Sequence, residues 1–505
     1  ASSLRKEGMG GAHHRYSFLD YCCDPGHCRA RHVETALGKR GKAATMITVN
    51  SFANKPIGVL GLGRSGLSAV RALSAGGAEV WAWDDTEDKR DEALAAGVQL
   101  TDLYQSDFSK LGTLVLSPGI PDQYPEPHAV ANKAREVGCE IICDVDLLAR
   151  ENDQARFVGI SGTNGKSTMT ALIGHIFKEA GESVAIGGNY GIPALDLDLL
   201  DESGTYVLEL SSYQLERIPS MRLDVAILLN ISPDHLDRHG GMEGYVAAKR
   251  ILFERTKEAS KAIIGMEDNH CRALCLELMV NRGGKGIVPI SASARAPGGV
   301  YVDDGMLIDD LDNQQKTIMD LHVVRTLPGR HNWQNAAAAY AAARAAEIAP
   351  DQIVAALKTF AGLPHRQELI IKSDGVSYIN DSKATNTEAA AKALACYDNI
   401  HWIVGGQFKE ENLGALESEL VRVRQAYVIG EAQDQLADLL SPAVSISKCG
   451  DLATALQQAQ EAAQRAKPGT VLLSPACASF DQFENFEKRG DAFRSLVNQQ
   501  VGAAS

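Results

Sequence analysis

The chain has 505 residues, 45% of them apolar and 23% charged, with a formal net charge of −14. That length exceeds what one hydrophobic core sustains and calls for about three domains. The acidic balance disfavours nucleic acid or an anionic membrane as partner, and no apolar run reaches the roughly 18 residues of a bilayer span.

The first 45 residues mix Cys22, Cys23, Cys28, His13, His14, His27 and His32 with Gly and Arg, without a period. Cys-Cys followed by Cys28 and His32 is not a usual zinc spacing, so 1–45 is expected to be a disordered extension, with Met46 reading as a natural start. No secretory apolar segment is apparent. The ten cysteines are scattered rather than grouped as a disulfide scaffold, so a cytoplasmic location is expected.

From Lys55 onward, short β-rich runs alternate with helical ones, which predicts an α/β chain of parallel sheets with crossover helices. IGVLGLG (57–63), EVWAWDD (79–85) and TLVLSPGI (113–120) form a first set of strands. FVGISG (157–162), TYVLELSS (205–212) and VAILLNIS (225–232) belong to a second, followed much later by an Ala-rich helix near 335–346. VSYIND (376–381), HWIVGG (401–406), AYVIGE (426–431) and TVLLSPA (470–476) form a third. Domains are expected at 46–150, 151–361 and 362–505.

Gly61-Leu-Gly63-Arg-Ser-Gly66 is a G-x-G-x-x-G turn between strand and helix, with Asp84 and Asp85 about 20 residues on. Alone it predicts NAD. Its physics requires only a pyrophosphate at a helix N-terminus, which a UDP-sugar also supplies. A dehydrogenase would have no need of the second nucleotide motif downstream, so a nucleotide-sugar diphosphate is favoured.

That second motif, FVGISGTNGKSTMT (157–170), reads as a buried strand, a Gly-rich turn and a helix start. Gly162 and Gly165 let backbone N–H groups approach phosphate, Lys166 adds a point charge, and Ser167 or Thr168 offers a hydroxyl to Mg²⁺. The full pattern G-x-x-x-x-G-K-[ST] has a glycine where this chain has Ile160. ATP or GTP should bind here. Glu209 at the end of YVLEL, and His235 and Asp237 in NISPDHLDRH, follow two further strand ends, where a parallel sheet presents its reactive edge. Lys249, in GYVAAKRILFERTK, reads by itself as a solvated helix lysine.

Taken together, GTNGKST (162–168), GGNYG (187–191), LELSSYQLE (208–216), NISPDHLDRH (230–239), PGRHNWQN (328–335), GLPHR (362–366), INDSKATN (379–386) and LSPACASFDQF (473–483) resemble the Mur ligases. These are ATP-dependent amide-forming enzymes of peptidoglycan precursor synthesis. The resemblance covers about 55–500, and SSYQ, NDSKATN and SPACASFDQF look like the branch that adds D-glutamate to UDP-N-acetylmuramoyl-L-alanine. It implies a Rossmann-like N-terminal domain, a P-loop-type central ATPase domain and a Rossmann-like C-terminal domain that swings to close over ATP and D-glutamate. It implies an acyl-phosphate intermediate, with Lys166 stabilising the transferred phosphoryl.

The same resemblance implies an ATP site of Gly162, Thr163, Asn164, Gly165, Lys166, Ser167, Thr168, Asn335, Arg366 and Asp381, with Lys383 in the same loop. It implies two Mg²⁺ ions, one on Ser167 and Glu209, the other on His235 and on Lys249 as a carbamate. Ser65, Gly119, Asn189 and His235 match the UDP-substrate side, and Thr385, Lys409, Ser479 and Phe486 the D-glutamate side. The best-known family pattern has Asp-Thr-Arg after the second strand. Here Asp84-Asp85-Thr86 lacks that arginine, and Arg64 is the candidate replacement. A monomer is expected.

Overall fold

The computed structural model describes residues 46–501. The expected extension at 1–45, with its histidines and cysteines, lies outside the described residues. Three sheets follow one another along the chain, as the strand pattern predicts. The first is fully parallel, in the order Glu79–Trp83, Pro56–Leu60, Thr113–Leu116, Glu140–Ile142.

The second sheet has nine strands. Val184–Gly188, Thr205–Glu209, Arg156–Ser161, Leu223–Leu228, Thr256–Gly265, Ile287–Ser291 and Val300–Asp303 are parallel neighbours in that order. Met306–Asp309 and Lys316–Asp320 then extend the edge antiparallel. The third sheet runs Glu368–Ser373, Val376–Asn380, Gly469–Leu473, Ile400–Gly405, Val423–Ile429, Ser445–Gly450, antiparallel only at its first pair.

The inner strands are continuous apolar runs because helices cover both faces of a parallel sheet. The helix Arg330–Ala345 shows the same rule in helical form. Ala336 through Ala343 are all buried, so small side chains let this helix press against both the sheet and the helix Lys166–Glu179. Among the described residues no helix is long and apolar enough to cross a membrane.

The cores divide unequally. One apolar cluster runs without a break from Ile57 and Val59 of the first sheet to Leu208 and Leu228 of the second. The two clusters around the third sheet contain residues from Val376 onward and none from the first two sheets. Apolar burial therefore fuses the first two units, whereas the third meets them largely through polar groups.

The first Gly-rich turn lies between Pro56–Leu60 and the helix Arg64–Ala75, as predicted. A Cβ at Gly66 would stand 1.8 Å from the Gly61 carbonyl oxygen, so only glycine lets the helix approach the strand this closely. Gly66→Ala should overpack this contact and cost about 2 kcal/mol or more, read as a lowered thermal midpoint.

Candidate active site

The strand Arg156–Ser161 ends beneath the phosphate-type turn, flanked by Thr205–Glu209 and Leu223–Leu228. Ile160 is still strand, in register with Glu209 and Ile227 and fully buried. The position where the full pattern has its first glycine thus belongs to the core. Gly165, at φ 89°, adopts the left-handed conformation that launches the helix Lys166–Glu179, and a Cβ there would stand 3.0 Å from Asn335 Oδ1.

Two of the turn's N–H donors are already committed. Thr163 N donates to the Asn230 carbonyl and Asn164 N to Asn230 Oδ1, each at 2.9 Å, while Asn230 Nδ2 returns a bond to the Asn164 carbonyl at 3.0 Å. Ser232 N donates to Thr163 Oγ1 at 3.0 Å. The N–H groups left for an anion are those of Gly165 to Thr168, the opening of the helix, which have no carbonyl one turn back. Lys166 Nζ donates to the carbonyls of Gly162 (2.8 Å) and Thr163 (2.9 Å), and desolvation lowers its pKa.

A cavity of about 600 Å³ opens over this turn. Its wall includes Gly165 to Thr168, Asn189, Glu209, Asp234, His235 and Asn335 from the central unit, and Arg366, Asp381, Lys383 and Thr385 from the third. Glu209 is 3% exposed; Oε1 accepts from Asn189 Nδ2 at 2.8 Å, while the buried Oε2 has no partner. That free carboxylate oxygen and the Ser167 hydroxyl on the same wall are hard oxygen donors of the kind Mg²⁺ takes. Among the described residues no three His, Cys, Asp or Glu side chains converge as a cage.

His235 occupies a left-handed position at φ 51° and is more than half exposed, 3.6 Å from Asp234. Asp234, rather than the predicted Asp237, joins it on the cavity wall. Lys249 is not the solvated helix lysine its local sequence predicts. It is 1% exposed and lies beneath the turn, with Nζ 3.1 Å from the Gly162 carbonyl, 3.4 Å from Ser161 Oγ and 4.6 Å from the centre of the Tyr245 ring. Burial, and then the charge of Lys166, push its pKa well down. It does not line the cavity.

From the third unit, Arg366 Nη2 donates to Ser167 Oγ at 2.9 Å. Asp381, 6% exposed, accepts from Ser474 Oγ at 2.8 Å and Gln367 N at 3.1 Å, and burial pushes its pKa up to about 7. Lys383 Nζ sits 3.8 Å over the Phe486 ring. Of the four residues expected around D-glutamate, Thr385 reaches the wall. Lys409 is exposed, Ser479 is buried, and Phe486 packs edge-on against His365; none of these three lines the cavity. Tyr190, His331 and Asn332 also line it. The first and last stand beside residues singled out from sequence, in GGNYG and RHNWQN.

At the first Gly-rich turn, Asp84 Oδ2 accepts from Leu62 N at 2.6 Å and Oδ1 from Thr86 N at 2.8 Å. Asp85 pairs with His128 at 2.7 Å and Tyr104 at 3.0 Å. Both carboxylates are engaged by the protein itself, which disfavours the ribose role that NAD would ask of one of them. Arg64 donates to the Gly191 carbonyl of the central unit rather than standing free. Arg90, which sequence reasoning missed, stacks on Trp83 and donates to the carbonyls of Asp84 and Asp85 at 2.8 and 2.9 Å. Ser65 lies in the first turn of the helix, half-buried, and the Gly119 carbonyl accepts from Arg238 at 2.9 Å.

The chain matches the family models for the Mur ligase MurD-like N-terminal domain at 55–142, the Mur ligase middle domain at 160–343 and the Mur ligase glutamate ligase domain at 365–477. It is 50% identical over 461 residues to the UDP-N-acetylmuramoylalanine--D-glutamate ligase of Rhodospirillum rubrum, covering 90% of this chain and 96% of that one. It is 49% identical over 463 residues to the enzyme of the same name from Paramagnetospirillum magneticum, covering 91% and 100%. Among solved structures, UDP-N-acetylmuramate-alanine ligase of Thermotoga maritima shares the fold at TM-score 0.54 and 15% identity, over 89% of this chain and all of that one. A MurF ligase from Thermotoga maritima in complex with ADP does so at 0.51 and 18%, over 79% and 100%.

The Asp381 carboxyl gives a pH test. Burial holds its native pKa at about 7, above the ordinary carboxyl value of 3.8, so between these values the folded chain keeps a proton that the unfolded chain has released. Stability from this group falls as pH rises through that window. Asp381→Asn should abolish this loss, so its thermal midpoint should gain on the wild type between pH 5 and pH 7.5.

Proposed function

The chain belongs to the Mur ligase family, and on that footing we propose that it joins D-glutamate to UDP-N-acetylmuramoyl-L-alanine with conversion of ATP to ADP and phosphate. The observation that carries this reading is the cavity over the Gly165–Thr168 helix start, where Glu209 from the central unit faces Arg366 and Asp381 from the third. A phosphoryl group placed there meets N–H donors, two cations and a free carboxylate oxygen at once.

The carboxylate of the muramoyl-alanine attacks the γ-phosphorus, ADP leaves, and an acyl phosphate forms. The amine of D-glutamate then attacks the acyl carbon, giving a tetrahedral intermediate that loses phosphate and a proton to leave the amide. The N–H groups of Gly165 to Thr168 hold phosphate oxygens. Lys166 exchanges its carbonyl partners for the transferred phosphoryl, whose developing charge it stabilises more than it does the ground state. Arg366 exchanges Ser167 Oγ for the phosphate in the same way.

Ser167 and Glu209 would hold one Mg²⁺, and His235 with the carbamate of Lys249 a second; when bound, Mg²⁺ neutralises the phosphate oxygens and keeps them in line. The burial of Lys249, which disfavours its ammonium form, suits carbamate formation. An amine attacks CO₂ only when unprotonated, and the products are a carbamate and a proton. Thr163 and Asn164 shape the phosphate turn, Asn335 supports it at Gly165, and Asp381 faces the ribose.

On the UDP side stand Ser65, Gly119, Asn189 and His235. Thr385, Lys409, Ser479 and Phe486 receive D-glutamate, and Lys409 pairs with one of its carboxylates. For Lys409 and Ser479 to take part, the third domain, 362–505, must shift over the central one, 151–361, which also excludes water from the acyl phosphate. The first domain, 46–150, carries the nucleotide-sugar. We take a cytoplasmic monomer as the working unit, drawing on the cell's ATP.

Phosphate release should require both UDP-N-acetylmuramoyl-L-alanine and D-glutamate; equal turnover with L-glutamate would overturn the substrate assignment. Lys166→Ala should abolish release, a loss of 10³-fold or more on the order expected for phosphoryl-stabilising groups, yet leave UDP-substrate binding intact in calorimetry. Lys249→Ala should lose activity and regain part of it with added short-chain carboxylates, which replace the carbamate oxygens.

A further inference from the structure

We propose that Glu388 is a positioning residue that sets the register of the third unit on the phosphate turn. It lies in the first turn of the helix Thr387–Leu394, and its carboxylate reaches out of its own unit. Oε1 accepts from Asn164 Nδ2 at 3.0 Å, and Ser232 Oγ donates to Oε1 at 3.2 Å and to Oε2 at 3.0 Å. Lys392, one turn on, donates to Oε1 at 2.8 Å and balances the charge. One side chain thus grips the turn and also the segment that leads to Asp234 and His235.

The division of the cores makes that grip consequential. No apolar cluster spans the junction between the third unit and the rest, so directional polar bonds must fix how the third unit sits. Besides Glu388, the side-chain bonds across it are Arg366 to Ser167 at 2.9 Å, Gln367 to His331 at 3.2 Å and a weak Cys396 thiol contact to the Pro328 carbonyl at 3.6 Å. The Arg366 bond uses a hydroxyl and a guanidinium that the phosphate and its cation would claim. The Glu388 bonds use the Asn164 amide and the Ser232 hydroxyl, which a phosphate seated on the Gly165 to Thr168 N–H groups leaves to Glu388. They leave the phosphate's own partners free, and in the arrangement seen they place Arg366, Asp381 and Lys383 opposite the helix start.

Losing this register should weaken what the third unit does and spare what the first unit does. Glu388→Ala should lower kcat/KM for ATP about tenfold, the size expected for a charge-assisted bond, with most of the change in KM. Affinity for the UDP-substrate, measured by calorimetry, should stay within twofold. Glu388→Gln keeps an acceptor oxygen and should recover most of the loss. In a cycle with Asn164→Ala, the double variant should lose clearly less than the product of the two single losses.

A Glu388→Ala enzyme within twofold of wild type for ATP, or strictly multiplicative losses in the cycle, would overturn the proposal. So would an equal weakening of UDP-substrate and ATP, which marks general destabilisation. If Glu388→Ala fails to fold, the Asn164→Ala, Ser232→Ala double variant, which strips the same carboxylate of both its partners across the junction, decides by the same ATP and UDP-substrate criteria. The inference rests on the ligase reading, but binding of an ATP analogue by calorimetry tests the register without reference to which amino acid is joined.

Discussion

A short turn between a buried strand and a helix must offer N–H groups to an anion without collapsing onto them itself. Here that is achieved by spending the first two donors inside the protein. Asn230 takes the N–H groups of Thr163 and Asn164 and returns an amide bond to Asn164, so the turn is braced from behind. The left-handed Gly165 then turns the helix axis, and its positive end, toward the cavity. Because the bracing residue directly follows the neighbouring strand, the same sheet edge also delivers Asp234 and His235, and the strand on the other side delivers Glu209.

Two kinds of adhesion hold the surrounding units. The first and central units share one apolar core and behave as a single body, which suits a substrate whose diphosphate end and acyl end must be kept at a fixed separation. The third unit has its own cores and touches the turn through ions and amides. Polar junctions of this kind can be remade at modest cost, because water replaces each lost bond. A shared apolar core at one junction and polar bonds at the other follow from where the apolar residues fall in the chain.

Much of this was legible from sequence. Buried parallel strands are unbroken apolar runs, so the inner strands of the first and third sheets and the three strands around the phosphate-type turn could be read directly, whereas Thr256–Gly265, Ile287–Ser291, Val300–Asp303 and Met306–Asp309 were not. The Gly-rich turns announced both phosphate-type helix starts. The edge strands Glu368–Ser373 and Ser445–Gly450 escaped because each is half-exposed and mixed in polarity. Lys249 escaped for a different reason. The helix Met242–Glu254 is only modestly amphipathic, and a lysine's letter does not reveal that its amine points under a neighbouring turn. Lys409, Ser479 and Phe486 came from family resemblance alone, and the cavity wall does not include them. Bonds between units, such as Glu388 to Asn164 across 224 residues, leave no local pattern to read.

The segment Gly187 to Gly191 links the first Gly-rich turn to the buried carboxylate on the cavity wall. Asn189 holds the carboxylate of Glu209, and two residues later the Gly191 carbonyl receives Arg64 from the first Gly-rich turn. A trans peptide advances the chain by about 3.8 Å per residue, so these few residues act as a ruler between the two substrate sites. Substitutions at Tyr190 alter what faces the cavity but leave that span unchanged. A single inserted or deleted residue would change the span by more than the length of a bond, displacing the acceptor carboxylate from the phosphorus it must reach. Variation in this stretch should therefore be free in side chain at Tyr190 alone and closed in length.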